Sequence, residues 1–121
     1  MHEYEAFRAF QEGSHLLESA NPHAAATALE RARDLEPSQA SVREALARAY
    51  YASGRVLDAE AEFHAAARID PVNDYAHYGL GLCRLRVGDR AGARGHLRLA
   101  VAMRPDPEYR RALDRAIADR P

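Results

Sequence analysis

The amino-acid sequence predicts an all-α fold in which helical hairpins stack in series. Three prolines, Pro37, Pro71 and Pro105, stand 34 residues apart along the chain. A small residue keeps the same interval at Gly13, Ala47 and Gly81. Three apolar triplets keep it too: Ala25, Ala59 and Ala93; Leu29, Phe63 and Leu97; Ala32, Ala66 and Ala100. A fixed period of this size indicates an array of identical supersecondary units.

Each unit is predicted to contain two helices joined by a turn. In the second unit, apolar residues follow helical spacing from Val42 to Tyr50, and the spacing resumes after Gly54 until Pro71. Proline cannot continue a helix, and glycine suits the left-handed conformation that ends one, as at Gly54 and Gly88. The predicted units span about residues 6–39, 40–73 and 74–106. The predicted N-caps are Asn21 (before Pro22), Ser38, Asn73 and Asp106.

A seventh helix is predicted beyond the third unit, over about residues 107–119. One of its faces is apolar and the other carries arginine and aspartate. The apolar face consists of Tyr109, Ala112, Leu113, Ala116 and Ile117. We expect this helix to cover the otherwise bare end of the array. The alternative is a docking helix for a partner.

The units resemble the tetratricopeptide repeat over about residues 6–105. The family's bulky–small pair in the first helix is matched by Leu46 with Ala47 and by Leu80 with Gly81. The turn glycine, the small–bulky–small residues of the second helix and the closing proline are matched as well. The family's tryptophan is replaced by Ala9, Arg43 and His77, its bulky first-helix residue by Glu12 in unit one, and its tyrosine by Arg84 in unit three. The resemblance implies a right-handed α-solenoid with the first helix of each unit inside.

The resemblance also implies a concave groove, lined by first-helix residues that do not pack between helices. Shifting the numbering by 34 residues identifies the positions that are expected to bind a peptide. They are Phe7, Phe10, Leu17, Glu44, Arg48, Tyr51, Tyr75, Tyr78, Leu82, Leu85 and Arg86. Aromatic side chains supply large contact areas at interfaces. An alternative for Phe7, Phe10 and Leu17 is packing within a weak first repeat.

Some members of the family hold an acidic C-terminal peptide with a clamp of lysine, arginine and asparagine. The matching positions here carry Phe10, Ser14, Ala45, Tyr75 and Gly79, so the clamp is missing. This favours an apolar or amphipathic segment over a terminal carboxylate, with Arg48 and Arg86 contacting its acidic groups.

Composition excludes several classes of function. The formal net charge is -1, which gives no general attraction to nucleic acid or to an anionic membrane. No stretch reaches the roughly 20 apolar residues of a membrane span, and no signal peptide is evident, so we expect a soluble cytoplasmic protein. Cys83 is the only cysteine and is expected to pack as a small hydrophobe. All basic residues are arginine, which we interpret as a bias of genome base composition.

No pattern in the sequence points to chemistry. The six histidines show no metal-binding spacing, and no nucleophile motif or phosphate-binding loop is present. We therefore predict a protein–protein interaction adaptor without catalysis, cofactor or metal. The alternative is a self-assembly module, because residues 1–60 hold 6 Arg against 10 Asp and Glu, whereas residues 61–121 hold 11 Arg against 8.

Overall fold

The computed structural model describes residues 2–118, and over that range the chain forms seven α-helices and no strand. Each helix packs mainly against the helices before and after it along the chain. The fold is therefore the α-solenoid expected from the period. The helices are α1 (His2–Glu18), α2 (Pro22–Leu35), α3 (Ala40–Ala52), α4 (Val56–Ile69), α5 (Asp74–Arg86), α6 (Arg90–Met103) and α7 (Pro107–Ile117).

The core lies where the repeated small and bulky residues meet. All six alanines of the two repeated triplets have a relative exposure of 0%. Leu29 and Leu97 are equally buried, and each touches the small residue of the first helix in its unit, Gly13 and Gly81 respectively. A Cβ at either glycine would overlap the leucine side chain. The small triplet therefore sets how closely the two helices of a hairpin approach.

The turns inside the hairpins share one backbone conformation. Gly54 and Gly88 adopt φ values of 83° and 86°, as the turn prediction requires. Ala20 is the matching residue of the first unit and adopts a φ of 60° although it is not glycine. Since a Cβ is disfavoured in this conformation, the first turn is strained where the other two are not.

The predicted N-caps are confirmed in part. Asn73 accepts a hydrogen bond from the amide of Ala76 at 3.0 Å, and Asp106 accepts one from the amide of Glu108 at 2.8 Å. The prediction of Ser38 was wrong, because the turn after α2 includes Ser38 and the N-cap of α3 is Gln39. Asn21 stands at the N-cap of α2, but its side chain makes no capping bond.

Helix α7 packs on α6 through the predicted apolar face, with one exception. Tyr109, Ala112, Leu113 and Ala116 are buried, whereas Ile117 is 48% exposed and does not belong to the buried face. Arg90 and Arg94 of α6 donate hydrogen bonds to the carbonyls of Ala118 and Ala116, at 2.6 and 3.2 Å. These bonds satisfy carbonyls that the helix end leaves free. The helix ends at Ile117, and residue 119 of the predicted range lies outside the described residues.

Over residues 2–118, no helix is long and apolar enough to span a bilayer.

Candidate functional site

The first helices α1, α3 and α5 lie side by side and form one face of the solenoid. A cleft of about 250 Å³ opens on this face, and we call it the central cleft. It brings together five of the residues predicted to bind a peptide and two others, of which Ala52 occupies a groove position by the 34-residue shift and Phe63 does not. Its lining is Leu17, Arg48, Tyr51, Tyr75 and Leu82, with Ala52 and Phe63 added.

Phe63 reaches the central cleft because its ring crosses from the second helix of its unit to the next unit. The ring lies against Gly79 of α5, where a Cβ would overlap it. Its place in the triplet with Leu29 and Leu97 predicts only a packing residue, and the Phe63 side chain is indeed only 2% exposed. The glycine at position 79, one of the positions where the clamp is missing, is the signal that could have revealed this crossing.

Aromatic rings run in an unbroken series from Phe63 to α7. The centroids of Phe63 and Tyr75 are 6.2 Å apart, those of Tyr75 and Tyr78 are 5.5 Å apart, and Tyr78 stacks on Tyr109 at 4.6 Å. Burial raises the pKa of the Tyr75 and Tyr78 phenols, so both remain neutral well above neutral pH. The series forms a rigid apolar wall along α5.

Two exposed arginines lie over tyrosine rings at the central cleft. The guanidinium carbon of Arg48 is 5.8 Å from the centroid of Tyr75, and that of Arg86 is 5.0 Å from the centroid of Tyr51. Contact with an aromatic face attracts a cation and restricts a long side chain. The arginines therefore present positive charge at the cleft in a defined position.

The Glu44 carboxylate points to the Asn73 side chain at the start of α5 and does not line the central cleft. It accepts a hydrogen bond from Asn73 at 3.2 Å, and Asn73 also caps α5. Burial raises the pKa of the Glu44 carboxyl, and the bond from Asn73 and the charge of Arg48 oppose that rise. The carboxyl therefore supports the junction between the second and third units.

Phe7 and Phe10 line a separate cleft of about 420 Å³ at the start of the solenoid, which we call the N-terminal cleft. Phe7 is 55% exposed, whereas Phe10 and Leu17 are half-buried and pack partly against the core. The alternative that these three residues pack within the first repeat therefore holds in part for Phe10 and Leu17 and does not hold for Phe7. The remaining lining is Glu3, Ala6, Glu36, Gln39, Ser41 and Val42.

Tyr78, Leu82 and Leu85 pack against the cluster that α6 and α7 form together. Tyr109 of α7 stacks on Tyr78 and donates a hydrogen bond to Asp74 of α5 at 2.6 Å. Part of the predicted groove is therefore covered by α7. Leu82 contributes to both the cluster and the central cleft.

Cys83 is wholly buried, and burial raises the pKa of its thiol to about 12. The thiol therefore remains protonated and packed, as expected from the sequence. Among the described residues, no group of three His, Cys, Asp or Glu side chains has the geometry to hold a metal ion. His64, His77 and His96 nevertheless come together from three helices, which their separation along the chain did not indicate.

Two overlapping stretches of the chain, residues 10–74 and 44–110, match the model of the tetratricopeptide-repeat family. The chain belongs to this family. No curated protein matches the chain significantly.

Solved tetratricopeptide-repeat domains share the fold at low sequence identity. The domain of OM64 from Arabidopsis superimposes with a TM-score of 0.93 at 19% identity, covering 96% of this chain and 97% of that one. The second domain of human RPAP3, solved in complex with the HSP70 peptide SGPTIEEVD, gives 0.92 at 16% identity, covering 98% and 100%. The first domain of Spaghetti (RPAP3), bound to the HSP90 peptide SRMEEVD, gives 0.89 at 16%, covering 93% and 90%. These likenesses establish the fold.

Proposed function

We propose that this protein is a non-catalytic adaptor that binds a peptide segment of another protein in its concave groove. The observation that carries the proposal is the central cleft, where two arginines held on tyrosine rings flank an apolar floor. Structural neighbours bound to peptides of partner proteins support the same class of function. The central cleft has a volume of about 250 Å³, below the roughly 300–1,000 Å³ usual for small-molecule sites. This size favours a single anchoring side chain of the peptide.

The chemistry of the cleft selects an amphipathic segment. An apolar side chain would enter between Tyr51, Tyr75 and Leu82. Acidic groups of the segment would meet Arg48 in the cleft lining and Arg86 over the Tyr51 ring. Ring packing and cation–π contacts already order the walls of the cleft. Binding a peptide therefore immobilises few additional side chains of this protein. Gly79 is covered by the Phe63 ring and Ala45 is 6% exposed, so neither position offers a clamp for a terminal carboxylate.

Selection from a displayed random-peptide library would test the proposal. We expect enriched sequences to pair a large apolar residue with Asp or Glu. Binding of a selected synthetic peptide, measured by fluorescence anisotropy, should weaken about 10- to 100-fold in Arg48→Ala or Arg86→Ala, because hydrogen bonds to charged groups contribute about 1.5–3 kcal/mol.

Arg55 provides a matched control outside the groove. Its guanidinium carbon also lies over a tyrosine, 4.3 Å from the centroid of Tyr50, at the start of α4. Arg55→Ala removes the same kind of contact and should leave peptide affinity unchanged. Equal losses in Arg48→Ala and Arg55→Ala, or a library without enrichment, would refute groove binding.

The self-assembly alternative makes a different prediction. Opposite charges in the two halves of the chain would favour head-to-tail association at low salt and dissociation at high salt. Sedimentation velocity over a range of protein and salt concentrations distinguishes the two hypotheses. A monomer under every condition would exclude self-assembly and leave peptide binding intact.

A further inference from the structure

The second and third units differ in chemistry at two matching positions. Glu62 of the second unit accepts hydrogen bonds from Arg43 at 3.0 Å and from Arg33 at 2.8 Å, and is only 7% exposed. The residues 34 positions after Arg43 and Glu62 are His77 and His96. The Arg43–Glu62 ion pair between α3 and α4 is therefore replaced by two imidazoles at the matching positions of α5 and α6.

The imidazoles form a cluster of three between α4, α5 and α6. His77 stacks on His96 with centroids 6.4 Å apart and planes at 21°, and His64 meets the edge of His96 at 6.2 Å. His77 and His96 are half-buried, and His64 lies at the exposed rim. His96 is the ring that the other two flank, and its partial burial disfavours an imidazolium there.

His77 contacts the turn between the second and third units through one ring nitrogen. Its Nε2 lies 3.2 Å from the carbonyl oxygen of Pro71, which can only accept, so Nε2 carries the proton. Its Nδ1 is buried and has no hydrogen-bond partner among the described residues.

The carboxylate that faces the cluster is already occupied. Glu60 and His64 face His96 from α4, and His77 and Arg84 face it from α5. Both oxygens of Glu60 accept bonds from Arg84, at 2.5 and 2.6 Å. Helix α7 contacts α6 on the side of Arg90 and Arg94. Within residues 2–118, the carboxylate that acts on His96 is therefore already bonded to Arg84, and an imidazolium at His96 would lie near that guanidinium.

We propose that the junction between the second and third units is a pH-sensitive joint, which the cluster of His64, His77 and His96 holds closed while His96 is neutral and which proton uptake by His96 in mild acid loosens. Burial, followed by the charges of His64 and His77, lowers the pKa of His96. A base with a lowered pKa in the folded state binds its proton more readily in the unfolded state. The stability that His96 contributes is therefore complete above the ordinary histidine pKa of about 6.5 and falls as the pH drops below it.

The joint also divides the central cleft. Leu17, Arg48 and Tyr51 belong to the first two units, whereas Tyr75 and Leu82 belong to the third. Loosening the joint would separate these two groups of lining residues. The consequence for binding, a lower peptide affinity in mild acid, rests on the proposed function, whereas the joint itself does not.

The test compares unfolding by urea at pH 7.5 and 5.5, followed by circular dichroism and without any peptide. We expect the unfolding equilibrium constant of the natural protein to rise severalfold from pH 7.5 to pH 5.5, because folded His96 binds its proton less readily than the unfolded chain does. The double variant His77→Arg/His96→Glu copies the Arg43–Glu62 pair of the second unit into the third and should abolish that rise. The single variant His96→Gln removes the titrating ring and should reduce the rise in the unfolding constant at pH 5.5. It provides the test if the double variant fails to fold.

The control removes two histidines elsewhere. His15 and His23 are exposed in the first unit, and His15→Gln/His23→Gln should keep the full pH response. The proposal is overturned if the natural protein is equally stable at both pH values or if His96→Gln responds as strongly as the natural protein. It is also overturned if added Zn²⁺ raises stability at pH 7.5 in the natural protein but not in His96→Gln, because the cluster would then be a metal site.

Hydrogen exchange locates the change within the molecule. After correction for the intrinsic pH dependence of exchange, amides of α5, α6 and α7 should lose more protection at pH 5.5 than those of α1 and α2. Uniform loss along the chain would contradict a local joint. Since neither measurement uses a peptide, failure of the joint is distinguishable from failure of groove binding.

Discussion

The contact between α5 and α6 at Gly81 is tight enough to test quantitatively how a small residue sets the helix spacing. Gly81 of α5 faces Leu97 of α6, and a Cβ at position 81 would lie 2.5 Å from Leu97 Cγ and 2.6 Å from Cδ2. Leu97 has no exposed surface, so its side chain has little room to move away. In Gly81→Ala, either the leucine must leave its rotamer or the two helices must separate.

The expected change in the free energy of unfolding of Gly81→Ala is the sum of two opposing effects. Replacing a helical glycine with alanine gains about 1 kcal/mol of helix propensity. Overpacking a core by one methyl group costs about 1–3 kcal/mol. We therefore expect Gly81→Ala to lower the free energy of unfolding by about 0–2 kcal/mol. Gly95 of α6 is exposed and has no neighbour within 4 Å of an added Cβ, so Gly95→Ala should raise it by about 1 kcal/mol.

Urea denaturation followed at 222 nm would measure both free energies, and their difference isolates the packing term at about 1–3 kcal/mol. Leu97→Val shortens the facing side chain and should be less harmful in the Gly81→Ala background than in the natural protein. A double-mutant cycle gives that coupling directly. If Gly81→Ala stabilises the protein as much as Gly95→Ala does, the small residue does not set the helix spacing and this reasoning fails.

Three further changes have expected outcomes, each measured as the free energy of unfolding in urea. Ala20→Gly should stabilise by about 0.5–1 kcal/mol, because it relieves a left-handed φ and loses only part of that gain to unfolded-state entropy. Tyr109→Phe removes the hydrogen bond to Asp74 and should destabilise by about 1–2 kcal/mol. Glu62→Ala leaves two arginines without their carboxylate and should destabilise by about 2 kcal/mol, between the values for exposed and buried ion pairs.

Each of these changes has a control in the same chain. Gly54→Ala should destabilise by about as much as Ala20→Gly stabilises, since both turns share one conformation. Tyr4→Phe and Asp34→Ala alter residues that are largely exposed, and neither should change stability by more than about 0.5 kcal/mol. A destabilised Ala20→Gly, or an equal effect of Glu62→Ala and Asp34→Ala, would contradict the reasoning.

Departures from the family pattern acquire reasons only in three dimensions. Arg43 and His77 stand where the family has tryptophan, and each contacts the carbonyl oxygen of the proline six residues earlier. The Arg43 guanidinium lies 3.0 Å from that of Pro37, and the His77 ring lies 3.2 Å from that of Pro71. Glu12 replaces a bulky residue because it lies on the open face of the first unit, whereas the matching Leu46 and Leu80 are buried. Both explanations depend on contacts between units.

The sequence alone determined the helices, their turns and the residues that pack inside each hairpin. These features arise from local rules, namely helical periodicity, the φ of glycine and the missing amide of proline, which act within 34 residues and recur in each unit. Period and register therefore sufficed to predict Gly54, Gly88 and the buried alanines.

Only the tertiary structure decided how the units differ where they meet. The Phe63 ring enters the next unit over Gly79, α7 covers Tyr78 and Leu85, and three histidines from separate helices converge. Each depends on a side chain from one unit fitting a space made by another, and on rotamers chosen by close packing. The spacing along the chain carries no information about these directions, because every unit has the same period but a different neighbour.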